Sequence, residues 1–321
     1  ERVYYSMGHD SRFDERVMDW VKVIRAKAKL GAHPPGEFLV LDHLLHELRL
    51  IKSKHEIELM QHAAQISAEG HRQAMAVCAP GVHEYTLEAE LNYAFTRGGS
   101  RAPAYNSIVA AGENACILHY DRNDAEVKDG DLILIDAGCE YQYYASDITR
   151  TFPANGTFNP QQKAIYELVL KAQDAAIDAV QPGAPWDAPH NASVRVITQG
   201  LIKLGLIEGT LAKAIKAEAY RDFYMHRVGH WIGIDVHDVG DYKIDEKWRL
   251  LEPGMVTTIE PGIYIAPDNK RVPKKWRGIG VRIEDDVLVT KKGNRVLTTG
   301  IPKTVAEIET FMAQAKQKRA A

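Results

Sequence analysis

Cysteine is scarce in this 321-residue chain: Cys78, Cys116 and Cys139 lie far apart, with no CxxC spacing. An odd, scattered set argues against a disulfide framework and a zinc ribbon. Each cysteine is expected to be a small buried apolar residue. Such usage suits a reducing compartment, so a cytoplasmic location is expected. No run approaches the ~18 uncharged apolar residues of a membrane helix, so no membrane partner is expected. Neither sign of charge prevails, with Lys+Arg 40 against Asp+Glu 43 and a net charge of −3. That balance does not suit binding to nucleic acid or to an anionic membrane surface. No G-x-G-x-x-G opens a helix after a strand and no phosphate-binding G-x-x-x-x-G-K-[ST] occurs, so nucleotide binding has no support. Internal repeats of 20 to 50 residues and low-complexity tracts are also absent. The opening Glu1-Arg2-Val3-Tyr4-Tyr5 does not read as a secretory signal. With no initiator methionine, further residues are expected upstream.

What is present is an ordinary globular composition, 45% hydrophobic and 26% charged, ample for a packed core. The length suggests one large domain, or one plus a smaller piece. Phe13, Val17, Val21 and Ile24, with Arg and Lys between them, predict an amphipathic helix over 13–30, ended by Gly31 to Gly36 with Pro34-Pro35. Ser53 followed three residues later by Glu56 is a capping box, predicting a long helix from there to about Ala79, where Pro80-Gly81 ends it. A boundary is expected near residue 50, with residues 1–50 too few to hold a core alone. Beyond it, helices are predicted at 86–97, 160–180, 188–204 and 304–318. Strands are predicted at 107–111, 131–138, 144–152, 255–260, 262–266 and 279–290. Strands in adjacent pairs on either side of a helical middle favour α+β with antiparallel hairpins over a doubly wound parallel sheet.

Carboxylates stand where solvation cannot account for them. Asp136 ends Leu132-Ile133-Leu134-Ile135, and Asp147 precedes Ile148-Thr149-Arg150-Thr151-Phe152. Glu260 ends Val256-Thr257-Thr258-Ile259, and Glu284 follows Gly280-Val281-Arg282-Ile283. A buried carboxylate is costly unless paired, protonated or bound to a metal. Any one of the four could be a cap or a salt bridge, but the same segments offer few cations, Arg150 and Arg282. A cationic ligand is the simpler compensation for all four. Three histidines, His226, His230 and His237, fall within twelve residues among apolar residues, with Gly229 and Gly233 allowing close backbone approach. His9, His33, His43, His46, His55, His62, His71, His83 and His190 lie in polar or helical settings and are read as surface residues. Two divalent ions would balance four carboxylates, whereas one would leave an excess of two. A carboxylate-rich set with one histidine favours Mn²⁺, with Zn²⁺, Co²⁺ or Fe²⁺ as alternatives. The eleven positions from Asp136 to Asp147 reach up to about 36 Å if extended, so a hairpin must bring the two together.

The order Asp, Asp eleven later, His, Glu, Glu resembles the pita-bread metallopeptidase family, which includes methionine aminopeptidase, prolidase and Xaa-Pro aminopeptidase. The wording is most similar to the bacterial Xaa-Pro aminopeptidases (aminopeptidase P). It lies in "ILHY" at 117–120, "LIDAGCEY" at 134–141, "SDITRTFP" at 146–153, "GHWIGIDVHDVGDY" at 229–242, "TIEPGIYI" at 258–265 and "GVRIEDDVLVT" at 280–290. The likeness runs from about residue 50 to 315. It implies a curved, antiparallel-rich sheet with helices on its outer face, over residues 51–321, and it makes residues 1–50 the end of an N-terminal domain. It implies a homo-oligomer and hydrolysis of the N-terminal Xaa-Pro bond of peptides with proline second. The implied metal ligands are Asp136, Asp147, His230, Glu260 and Glu284, with Asp147 and Glu284 bridging two ions and a hydroxide between them as nucleophile. Glu260 would also act as base, His237 would support the scissile carbonyl, and His119 would bind substrate or shuttle a proton. His226, Tyr264 and Arg282 would wall the residue after the scissile bond. A prolidase, restricted to dipeptides, and a metal-free peptide- or protein-binding domain are the alternatives, the latter expected to lack at least one ligand.

Overall fold

The computed structural model describes residues 1–320. It divides into two compact units, Glu1–Arg49 and Leu50–Ala321. In the first, β1 (Arg2–Tyr5) leads through α1 (Ser11–Ala26) to β2 (Glu37–Val40), which pairs with β1 in parallel. Asp10 caps α1, its side chain accepting from the backbone N–H groups of Arg12 and Phe13, so the helix starts two residues before the expected 13. It also stops earlier, at Ala26, where a single 3₁₀ turn runs into Gly31 at φ 81°. The helix α2 (Asp42–Leu50) follows.

The second unit opens on α3 (Lys54–Val77), where Ser53 and Glu56 form the expected reciprocal cap. Next come α4 (Glu84–Arg97), the two-residue β3 (Ala102–Pro103) and β4 (Ile108–Ala111). The segment then folds back as β5 (Leu132–Asp136), β6 (Cys139–Tyr141), β7 (Tyr144–Ala145) and β8 (Thr149–Pro153). Two helices, α5 (Pro160–Asp178) and α6 (Ala188–Lys203), and the short α7 (Leu211–Lys216) form the helical middle. A small hairpin follows, β9 (Lys243–Ile244) and β10 (Lys247–Trp248). The last strands are β11 (Val256–Ile259), β12 (Gly262–Ile265), β13 (Ile279–Arg282), β14 (Asp285–Thr290) and β15 (Gly293–Val296), before α8 (Val305–Ala320). Every strand pair of this unit is antiparallel, in the orders β4-β5-β8, β3-β6-β7, β11-β14-β15, β12-β13 and β9-β10.

Two departures from the expected strands shape the site. The stretch 131–152 is not one hairpin but two nested ones. The reversal at Gln142-Tyr143 has both residues at positive φ (48° and 71°), a type I′ geometry achieved without glycine. At Gly138 a Cβ would lie 1.7 Å from the Ser146 carbonyl oxygen, so only glycine lets the strands close behind Asp136. The second departure is in 279–290, expected as a single strand, which breaks at Ile283-Glu284 because the chain changes partners. Before the break it pairs with β12, and after it with β11.

The two halves are joined along β8. The Glu284 N–H donates to the Thr149 carbonyl (3.1 Å), and the Thr151 hydroxyl donates to the Arg282 carbonyl (2.9 Å). Buried Arg150 donates to the Glu284 carbonyl (2.6 Å) and to Asp285 Oδ1 (2.7 Å). Burial alone would raise the Asp285 carboxyl, but Arg150 and Lys303 outweigh it and hold it below the usual carboxylate range. Apolar residues of α3, α4, α5 and α6 pack with those of β5 and β13 into one large core that backs this joint.

Three readings of single residues are corrected. His71 and His190, expected at the surface, are buried. Each lies on the core-facing side of its helix: His71 Nε2 is 2.9 Å from the Ala137 carbonyl, and the His190 ring packs against Tyr224. Burial pulls both down to about 4, so both are neutral near pH 7. Cys78 and Cys139 are buried as expected, whereas Cys116 is only part-buried. Among the described residues, no helix is long and apolar enough to cross a membrane.

Replacing Arg150 with Met should leave Asp285 short of one of its two cations. The expected cost is about 3 kcal/mol, the low end for breaking a buried pair because Lys303 remains. Chemical denaturation at pH 7 measures it.

Candidate metal centre

Asp136 is the last residue of β5, opposite Thr149 of β8 in the ladder, and Asp147 lies just before β8, so the hairpin sets both carboxylates at one end of the sheet. Glu284, in the break between β13 and β14, is brought to the same place by its own N–H and by the Thr149 hydroxyl, which donates to Glu284 Oε2 (2.6 Å). On the other side, 228–232 runs along β11. The Thr258 N–H donates to the His230 carbonyl (2.9 Å) and the Glu260 N–H to the Val228 carbonyl (2.7 Å). A Cβ at Gly229 would lie 1.9 Å from the Thr258 carbonyl oxygen, so the close approach expected of this glycine is what lets His230 sit beside Glu260. His230 Nε2 is 3.6 Å from Glu260 Oε1 and 3.5 Å from Asp147 Oδ2. Asp147, His230 and Glu284 each offer a ligand atom within 4.8 Å of the others.

The charges in this space are not balanced by the protein. Burial, then repulsion from Asp147, drives the Glu284 carboxyl far above its normal range. Burial pushes Glu260 up to about 7 despite His230 and Arg282. Asp136 is raised by burial although Arg282 Nη2 sits 2.5 Å from its Oδ2. For His230, burial favours the neutral ring, but the Asp147 hydrogen bond and the Glu260 charge overcome it and lift the imidazole to about 9. Burial would raise Asp147 as well, yet the His230 contact keeps it below its usual value. The protein thus sets four carboxylates against Arg282 and one histidine, so Asp136, Glu260 and Glu284 hold protons more tightly than free acids and His230 is drawn to its charged form. Oxygen donors, one imidazole and uncompensated charge fit a divalent cation site.

All five residues line one cavity of about 690 Å³. His119 and His237 also line it, the latter with its ring 4.4 Å from that of His230. Burial, then the His230 charge, lowers the His237 imidazole. A hydrogen-bonded relay forms one wall: Arg282 Nη1 donates to the Tyr264 oxygen (3.0 Å), and the Tyr264 hydroxyl lies 2.9 Å from His226 Nε2. His226 Nδ1 is 2.7 Å from the Arg227 carbonyl, which fixes the ring with Nδ1 as donor and Nε2 as acceptor. Burial and the Arg282 charge hold His226 down at about 3, consistent with a neutral ring in that relay. Every site residue expected from the sequence therefore lies in one place.

Sequence reasoning missed two residues that orient the carboxylates. The Tyr105 hydroxyl lies 2.6 Å from Asp136 Oδ1 and 2.5 Å from Asp147 Oδ1, fixing the two acids relative to each other. Burial and then Asp136 push this phenol far above its usual range, so it stays a donor. Tyr105 lies between short strands, in Ala104-Tyr105-Asn106, where no periodicity singles it out. The buried Asp286 accepts the Asp147 N–H (3.1 Å). It was legible only as the third of three successive acids in an apolar strand.

Two outcomes follow for metal binding. Because Glu260, Glu284 and His230 hold protons that a cation must displace, affinity for Mn²⁺ should rise from pH 6 to pH 9 with proton release. Calorimetry in buffers of different ionisation heat detects it. Tyr105→Phe should weaken Mn²⁺ binding roughly 10- to 100-fold, the usual effect of losing a group that orients metal ligands.

Comparison with known proteins agrees with this geometry. The model of metallopeptidase family M24 matches residues 58–291. The chain is 54% identical over 277 residues to the Xaa-Pro aminopeptidase of Haemophilus influenzae, covering 86% of this chain and 64% of that protein. It is 45% identical over 316 residues to the Xaa-Pro aminopeptidase of Escherichia coli, covering 98% of this chain and 71% of that one. The solved structure of Pseudomonas aeruginosa aminopeptidase PepP superposes with a TM-score of 0.96 at 65% identity, over 99% of this chain and 72% of that one. The chain thus spans 64% to 72% of the length of these relatives. With the motif order, the hairpin-built carboxylate cluster and these matches together, the chain belongs to metallopeptidase family M24 and has its pita-bread fold.

Proposed function

We propose that residues 51–321 form the catalytic domain of a proline-specific aminopeptidase, which hydrolyses the bond between the first residue and a proline in second place. The observation that carries this reading is the convergence of Asp136, Asp147, His230, Glu260 and Glu284 in one cavity with their charge uncompensated. The Xaa-Pro aminopeptidases among its relatives support the substrate class. Residues 1–50 are read as the end of an N-terminal domain. The free thiols support a cytoplasmic setting.

Those five residues would hold two divalent cations, Mn²⁺ first, with Co²⁺, Zn²⁺ or Fe²⁺ as alternatives, and Asp147 and Glu284 would be shared between them. When bound, the cations supply Lewis acidity, making hydroxide available near neutral pH and polarising the scissile carbonyl. Glu260, raised toward neutrality, accepts the proton of the attacking water. As the carbonyl carbon becomes tetrahedral, His237 donates a hydrogen bond to its developing oxyanion. The carbon–nitrogen bond then breaks and the proline nitrogen takes a proton, with His119 at the cavity wall as the shuttle. The His226–Tyr264–Arg282 relay holds a neutral imidazole and a phenol in fixed positions, which would wall and orient the residue after the scissile bond.

Release of the N-terminal residue from Xaa-Pro-Yaa by chelator-stripped protein, with and without Mn²⁺, tests the reading, with Xaa-Ala-Yaa as control. Mn²⁺-dependent cleavage of the proline peptide is expected, and Glu260→Gln should lower kcat roughly 10²- to 10⁴-fold. Cleavage of both peptides would remove the proline specificity. Cleavage of an Xaa-Pro dipeptide alone would make the protein a dipeptidase. No cleavage, with metal bound, would favour a binding role.

A further inference from the structure

Beside the metal-centre cavity lies a second cleft of about 610 Å³, and Arg227 and Gly229 line both. Its floor is aromatic and tied to the metal centre. Tyr242 stacks on Trp231, the residue after His230, with ring centroids 5.5 Å apart and planes within 5°. The Trp231 N–H donates to the Tyr242 hydroxyl (3.2 Å). Trp186 then joins Tyr242 (4.4 Å) to Trp248 (5.7 Å), which stands on the β9–β10 hairpin. Asp245 and Glu246 turn that hairpin at positive φ (48° and 64°), so the position of Trp248 is set both by a tight turn and by the aromatic stack.

Two cations rest on this scaffold. The Arg227 guanidinium carbon is 5.1 Å from the Trp248 ring centroid, and Lys243 Nζ is 4.7 Å from it. Neither makes an ion pair among the described residues. The one carboxylate lining the cleft is Asp241, so its cations are in excess. Stacking on Trp248 holds both side chains in place ahead of any ligand, which lowers the ordering cost of binding one. The hydrogen-bonding edges that remain suit a carboxylate.

The path into the cleft is continuous with the site. His226 belongs to the wall assigned to the residue after the scissile bond, and the next residue, Arg227, belongs to the cleft. We propose that this cleft is a specificity subsite for an Asp or Glu side chain of the substrate, in the residues that follow its proline. The proposal rests on the peptidase reading above, and it gives the enzyme a preference that the metal ligands alone do not encode.

The test uses C-terminally amidated tetrapeptides, so that no terminal carboxylate competes: Ala-Pro-Glu-Ala and Ala-Pro-Ala-Glu, each against its Gln twin, with Mn²⁺-loaded protein. One Glu peptide should exceed its Gln twin in kcat/KM by roughly three- to tenfold, mainly through KM, the size expected of two exposed charge contacts acting together. The ratio should fall to about one in the double variant R227Q/K243Q and should shrink with added salt. Ratios of one for both pairs in the unaltered protein, with all four peptides cleaved, would overturn the subsite and leave the peptidase reading intact. A Glu preference that survives in R227Q/K243Q would also overturn it. Failure to cleave any of the four would instead strike the peptidase reading on which the subsite depends.

Discussion

Mutual repulsion among Asp136, Asp147, Glu260 and Glu284 is the constraint around which this structure is built. Four acids brought to the end of apolar strands cannot all ionise without cations, and among the described residues those paired with them are Arg282 and a charged His230. Removing water from that space would ordinarily be ruinous. The fold holds the acids there because other groups fix them: Thr149 on Glu284, Tyr105 on Asp136 and Asp147, and the Asp286 carboxyl on the Asp147 backbone. Divalent cations that displaced the protons would relieve this crowding.

The backbone follows from that demand. A hairpin returns Asp147 to Asp136, and a partner switch between β13 and β14 leaves Glu284 outside both ladders and facing the site. The Arg150–Asp285 pair behind Glu284 keeps this irregular stretch attached to β8. Gly138 and Gly229 allow backbone approaches that any side chain would block. On the opposite wall, the relay from Arg282 through Tyr264 to His226 keeps an imidazole neutral beside a guanidinium.

The parts of this arrangement that were legible in the sequence share one property: a local signal that only one structure satisfies. Ser53 and Glu56 announce their helix because each caps the other. The carboxylates announce the metal centre because no solvated explanation exists for an acid ending Leu132-Ile133-Leu134-Ile135. What escaped depends on distant partners. The break at Ile283-Glu284 is invisible in an apolar run, since it arises from competition between β12 and β11. The Gln142-Tyr143 turn lacks the glycine that marks its type. His71 and His190 resemble surface residues in a helix, and only packing turns them inward. Tyr105 carries no signal at all, because its role is defined by two acids that reach it from β5 and from the loop before β8.

On the proposed reading, the four carboxylates are arranged for two adjacent cations that would share Asp147 and Glu284. Electron paramagnetic resonance of the metal-free protein titrated with two equivalents of Mn²⁺ tests it most directly. Sharing of carboxylates predicts the multiline spectrum of an exchange-coupled pair at full loading. A spectrum of isolated Mn²⁺ ions that persists at two equivalents would contradict the claim, because ions held by the same carboxylates cannot remain magnetically independent.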